Sequence, residues 1–274
     1  VVGTLDGEVQ ALNTRDGSER WHTTVSSEVI SAPVISDDMI VVRSQDGRIY
    51  GLDASDGTRK WTYDRSTVPL LSLRGNSPPV VRDGLVFNGA DNGKVVALRA
   101  KDGNVVWEQA LAVGEGRSEI ERLSDVDGIL EVDSGIVYAA GYRGQIVALL
   151  APTGRQLWTR DMSSYTGVSL SADQVFVADA DSNVWALDRR SGSSMWKQDE
   201  LEHRWLSAPA AQLDYVVVGD LEGYIHWLNA TDGKLVARLR LGKHPIVAPP
   251  LVIDTLAYVE SVDGEIGAYK ISKP

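Results

Sequence analysis

A unit of about 40 residues recurs along the chain, and this repeat constrains the fold more than any other feature. Its clearest copy runs from Ser31-Ala32-Pro33 to Trp61. A small residue and a proline lead into an apolar run and a Gly turn. A second run ends at Gly51-Leu52, and a second Gly turn precedes the Trp. The first turn recurs at Asp6-Gly7, Asp46-Gly47, Asn92-Gly93, Arg143-Gly144, Asp181-Ser182, Glu222-Gly223 and Asp263-Gly264. The second recurs at Asp16-Gly17, Asp56-Gly57, Asp102-Gly103, Thr153-Gly154, Ser191-Gly192 and Asp232-Gly233. Four residues beyond that Gly stand Trp21, Trp61, Trp107, Trp158 and Trp196, with Ala237 in the sixth copy.

Asp-Gly and Asn-Gly between alternating apolar runs mark hairpins, because the turn needs positive φ. Each copy therefore supplies four short strands, A to D. One such sheet cannot bury both its faces alone, so successive copies must stack. Four strands per 40 residues, stacked radially, predict an all-β chain: a β-propeller of four-stranded antiparallel blades, seven of them partial or complete. Such stacking leaves only short, protected strand edges. The repeated Trp is expected to pack between neighbouring blades.

The first copy opens inside strand B, at Val1-Val2-Gly3. The last supplies A, B and C, from Ala248-Pro249-Pro250 to Ile271, without a D strand. We expect residues 1–274 to form a single propeller domain with further chain upstream. The first residues, VVGTLDGEVQAL, carry no basic and apolar targeting pattern.

Composition narrows the function. The 27 Lys and Arg against 38 Asp and Glu give a net charge of −11, without the basic clusters that nucleic-acid binding needs. No apolar run reaches the ~20 residues of a membrane span. The absence of Cys excludes disulfides, thiolate metal sites and a Cys nucleophile. Neither HExxH, GxSxG, a P-loop nor a dinucleotide fingerprint occurs around His22, His203, His226 or His244. His226 lies in an apolar strand and is expected at a blade interface. Asp179-Ala180-Asp181-Ser182-Asn183 has some calcium-loop character but lacks the Gly and the closing Glu, and reads as a hairpin turn.

The spacings between the repeated positions are 40, 46, 51, 38 and 41, so two consecutive connections are long. Both lie between strand D and the next strand A, on the rim that carries the B–C turns. The first holds Leu70, Leu71, Leu73 and Arg74, and a Leu-rich loop needs a reason. Apolar anchors beside an Arg suit a partner-docking patch; alternatively, the leucines fold back as a plug. The second holds Glu119, Glu121, Arg122, Asp125 and Asp127, and the spacing of Ile120 and Leu123 permits a helical turn. Its carboxylates pair with Arg74 and Arg122, stay solvated or hold a metal. Pairing fits best, since no further ligands are evident, and no metal site is assigned.

Leu52-Asp53-Ala54-Ser55-Asp56-Gly57 with Trp61 resembles the repeat of the quinoprotein (PQQ-type) propellers. These include quinoprotein dehydrogenases and the BamB family, lipoproteins of the outer-membrane β-barrel assembly (BAM) machinery. Leu71–Ser77, Glu119–Asp127, Leu201-Glu202-His203-Arg204 and Val218–Trp227 are similar to the BamB pattern, and the likeness runs along essentially the whole chain. The resemblance implies eight blades, an N-terminal lipidated Cys and a place on the periplasmic face of the outer membrane. It implies a non-catalytic scaffold without cofactor that docks on the POTRA region of BamA. Leu71, Leu73, Arg74, Asp125 and Asp127 are the matching contacts, with Leu70 and Arg122 beside them. Unfolded outer-membrane proteins, paired with blade edges, are a further partner under this reading. The dehydrogenases are much longer and need calcium, a base and often a Cys pair. A generic interaction hub would keep the fold and use another face.

Overall fold

Each copy of the repeat folds as a meander of consecutive antiparallel strands. In the second copy A is Val34–Ser36, B is Met39–Arg43, C is Ile49–Asp53 and D is Arg59–Tyr63, paired in that order. The computed structural model describes residues 1–64, 77–90, 92–111, 126 and 128–271. Among these, five four-stranded sheets and two three-stranded sheets repeat the pattern, and every named strand pairing is antiparallel. The chain is all-β, a β-propeller built from four-stranded blades. The first sheet opens with Val2–Gly3 as strand B, and the last ends with Ile266–Lys270 as strand C.

Contacts divide the chain into two compact units. The N-terminal unit comprises residues 1–127, 132–137 and 149–155, and the C-terminal unit comprises the remainder. Strand B is buried along its length in Met39–Arg43 and Gln174–Ala178, whereas the B strands of the first and last copies, Val2–Gly3 and Leu256–Glu260, are partly exposed. Most D strands expose four or five residues to water or partial water and bury the Trp.

The turns differ from the sequence expectation in one respect. The two-residue hairpins with two left-handed residues are the A–B turns, Asp83-Gly84 (φ 51° and 74°) and Ser134-Gly135 (52° and 74°). The Asp-Gly pairs predicted as tight hairpins close longer B–C loops, where only the Gly is left-handed, as at Gly47 (φ 82°). In the fourth copy Arg143 (φ 50°) takes that conformation, and Gly144 does not.

The repeated Trp locks one copy to the next. Within the N-terminal unit, the indole N–H groups of Trp21, Trp61 and Trp107 donate to the carbonyls of Ala54, Ala100 and Ala151 at 3.1, 2.7 and 2.8 Å. Within the C-terminal unit, Trp158 and Trp196 donate to the carbonyls of Arg189 and Ala230 at 3.0 and 2.8 Å. Each ring lies over the second-turn Gly of the following copy. A Cβ on Gly103 would stand 2.6 Å from Trp61, and that Gly is left-handed (φ +71°). The residue must therefore be Gly on two counts. Across the strand pair each Trp faces a small residue: Trp21 faces Ala11, Trp61 faces Gly51, Trp107 faces Ala97 and Trp196 faces Ala186. A β-bulge follows each of these pairs.

The sixth copy inverts the pair. Trp227 on strand C faces Ala237 on strand D. The indole N–H now donates to Gln212 Oε1 at 2.9 Å, and Gln212 Nε2 donates to the carbonyls of Thr255 (2.9 Å) and Tyr269 (3.2 Å). The Tyr269 ring meets Trp227 edge-on at 5.6 Å. Bulk lost from strand D is thus returned on strand C, while strand D, Leu235–Arg240, is exposed throughout.

Candidate functional site

The predicted docking surface lies on connections from strand D to the next strand A. The short connection of the first copy shows how such a segment is held. Its amides at Val25 and Val29 donate to the carbonyls of Gly7 and Thr4 in the B–C loop, at 2.8 and 2.9 Å. Both stems are thereby tied to the rim that carries the B–C loops.

The two long connections leave from and return to the same rim. The second departs at Leu111, whose amide donates to Gly93 O at 2.8 Å, and returns at Val126, whose amide donates to Ala90 O at 3.2 Å. Val126 is fully buried, and a Cβ on Gly89 would collide with its carbonyl. The first departs at Asp64, held by Arg48 Nε at 2.9 Å, and returns at Ser77, whose carbonyl accepts from Arg43 Nη1 at 3.2 Å. Arg43 is only 6% exposed, an unusual burial for an Arg. Leu70, Leu71, Leu73, Arg74, Arg122, Asp125 and Asp127 lie outside the described residues, as do the expected helical turn and the carboxylate–Arg pairing.

A polar cluster braces the first stem. Arg48 also meets Asp46 at 2.8 Å, and Asp46 Oδ2 accepts from the Ser26 hydroxyl at 2.5 Å. Ser26 in turn accepts from the Tyr50 hydroxyl at 2.6 Å. Burial pushes the Asp46 carboxyl up, but the hydroxyls of Ser26 and Ser44 and the amide and charge of Arg48 outweigh it and hold it below its ordinary value. The hydrogen bond to Asp64, with the charges of Asp46 and Asp64, raises the Arg48 guanidinium. This bracing was not foreseen from sequence.

In the C-terminal unit a second polar group looks catalytic by composition. His226 Nε2 lies 2.8 Å from Asp220 Oδ2, and Arg204 Nε donates to the same oxygen at 2.6 Å. Asp220 Oδ1 accepts from the amides of Glu222 and Tyr224, both at 2.9 Å. The His226 and Asp220 side chains are 0% exposed, so no substrate reaches them. Burial alone raises Asp220; the bonds from His226, the Tyr224 amide and Arg204 overcome that and hold the carboxyl below its ordinary value. The preceding copy reveals the role. Asp179 Oδ2 accepts from Trp185 Nε1 at 2.8 Å, at the same spacing of six residues. His226 replaces that indole as the donor that fastens a turn carboxylate. His226 stands opposite Val218, on the face that packs against the fifth copy, as expected, and Asp179 closes a turn as expected.

The family model described as outer membrane protein assembly factor BamB matches residues 1–198 and, in a second match, residues 195–273. Outer membrane protein assembly factor BamB of Xanthomonas campestris pv. campestris is 46% identical over 273 residues, covering 100% of this chain and 67% of the relative. The protein of the same name from Yersinia pestis is 37% identical, covering 98% of this chain and 68% of its own length. The crystal structure of BamB from Moraxella catarrhalis matches with a TM-score of 0.92 at 32% identity, over 98% of this chain and 80% of that one.

Proposed function

The chain belongs to the family of outer membrane protein assembly factor BamB, and from that premise we propose that it is a non-catalytic scaffold of the outer-membrane barrel-assembly machinery. It forms one propeller domain, acts at the periplasmic face of the outer membrane and docks on the POTRA region of BamA. Leu71, Leu73 and Arg74 of the first long connection and Asp125 and Asp127 of the second make the contact, flanked by Leu70 and Arg122. The observation that carries this reading is that both long connections spring from one rim of the N-terminal unit. The sequences of the two connections supply apolar residues, a guanidinium and two carboxylates, a composition suited to an interaction hot spot. Support of barrel insertion follows from holding the partner on a rigid platform.

Titration of the chain with the soluble POTRA region of BamA tests the proposal. Arg74→Glu should weaken binding by about 2–5 kcal/mol, or roughly 30-fold to several thousand-fold. Equal binding by both forms would move the site elsewhere, and no binding by folded wild type would remove the partner.

A further inference from the structure

The connection between the fifth and sixth copies departs from its siblings. In the first connection the residue that follows the rim-bonded carbonyl, Val29, is 3% exposed, and the next, Ile30, is 43% exposed. The connection into the last copy repeats that order, with Ile246 buried and Val247 exposed. Here the order is reversed: Trp205 is 65% exposed and Leu206 is buried. The reversal needs left-handed backbone at two bulky residues, His203 (φ 63°) and Trp205 (φ 53°). A strained backbone that turns a tryptophan outward is held there by its surroundings. The Trp205 amide donates to Ser182 Oγ at 2.9 Å, and the His203 amide to the Asp181 carbonyl at 2.9 Å. Between them Arg204 is clamped by Asp220 and by Glu222 (2.8 Å), and lies over the Tyr224 ring at 5.5 Å.

Trp205 does not stand alone. The Leu221 amide donates to the Arg204 carbonyl, the Ile246 amide to Asp220 O and the Val262 amide to Pro245 O. This chain of backbone bonds strings Trp205, Leu221, Val247 and Val262 along one rim of the C-terminal unit, and they are 65, 47, 65 and 62% exposed. Flanking carboxylates reach water: Glu202, 52% exposed, lies 3.9 Å from His203, Glu222, 64% exposed, is paired with Arg204, and Asp263, 42% exposed, lies 3.7 Å from His244. Arg204 is already spent on Asp220 and Glu222.

We propose that this ridge is a protein-docking surface, with Trp205 as the knob. Its partner is a folded protein that offers an apolar socket bordered by Lys and Arg. A rigid, convex aromatic calls for a preformed socket, and the acidic flank selects a basic border. The ridge lies within the C-terminal unit and is independent of the contacts proposed for the long connections.

The test places a photo-cross-linking phenylalanine analogue at position 205 of the protein in its native envelope. Met195, 48% exposed on a D strand, is the control position. The expected result is one discrete adduct from 205 and none from 195, with a contact peptide that mixes apolar and basic residues. Glu202→Lys should lower its yield at least about fivefold. Trp205→Ala should leave Tm unchanged, which shows that the ridge is not part of the folding core. The proposal is overturned by the absence of an adduct, by the same products at both positions, by an adduct to a second copy, by an acidic contact peptide, or by a yield indifferent to Glu202→Lys.

Discussion

Gly103→Ala separates two costs that the structure superimposes. Gly103 has φ +71°, and an added Cβ would stand 2.6 Å from the Trp61 ring. Gly17 has the same backbone, φ +72°, with nothing within 4 Å of the added atom. Left-handed backbone costs an L-residue about 1–2 kcal/mol. Overpacking against a buried ring costs about 1–3 kcal/mol more. Gly17→Ala should therefore lose about 1–2 kcal/mol and Gly103→Ala about 2–5 kcal/mol. Trp61→Ala on its own should lose about 3–5 kcal/mol. In the Trp61→Ala background the steric part of Gly103→Ala disappears, so the pair should couple by about 1–3 kcal/mol. Urea unfolding followed by far-UV circular dichroism measures the four variants against wild type, provided the m-values agree. Strict additivity, or equal losses at Gly17 and Gly103, would refute the idea that the indole seated on the next copy's turn is what joins them.

Trp227→Ala should cost about 3–5 kcal/mol, and adding Ala237→Trp should restore part of it by returning the sixth copy to the arrangement of its siblings; no recovery in Tm would argue against equivalent slots. Asp220→Ala, which leaves Arg204 and His226 facing an empty carboxylate position, should cost about 3–5 kcal/mol, read from chemical denaturation. Asp220 titrates below its ordinary value when folded, so its contribution is complete above the unfolded pKa, near 4, and fades as pH falls through the lower folded value. Asp220→Asn should therefore flatten the acid limb of a stability–pH curve, and an unchanged slope would count against the linkage. Asp64→Asn should alter stability by less than about 1 kcal/mol, because its pair with Arg48 is exposed; a larger loss would mean that the stem depends on that ion pair.

The frame was legible because the chemistry of its joints is local and periodic. Gly four residues before Trp reports both the left-handed turn and the ring that sits on a neighbouring turn. The A–B hairpins were missed because only Asp83-Gly84 and Ser134-Gly135 carry a tight-turn pair. Asp37, Leu213 and Asp254 adopt the same positive φ without a sequence cue. Ala237 marked the sixth copy as irregular, but the compensation by Trp227 and Gln212 depends on pairing register, which spacing does not encode. In hindsight one signal was present: Trp227 occupies the slot filled by Ala or Gly in the sibling copies. The Arg48 bracing and the outward turn of Trp205 escaped notice because they depend on contacts between turns rather than on any one turn. The fold at Asp179 and Asp220 shows the general limit. The same hydrogen bond is made by Trp185 in one copy and by His226 in the next, so residue type alone suggests catalysis where geometry shows a fastening.

The lashed stems separate the evolution of recognition from the evolution of the frame. When both ends of a connection are bonded to the rim, the residues between them carry almost none of the load of the sheet. Doubling the length of such a segment costs only about 0.6 kcal/mol in closure entropy. New binding specificities can therefore be grafted, lengthened or discarded at one rim while the tryptophan-linked sheets drift slowly beneath. Within this one chain, the short first connection and the two long ones share the same kind of anchorage at their stems, so length there is free to vary.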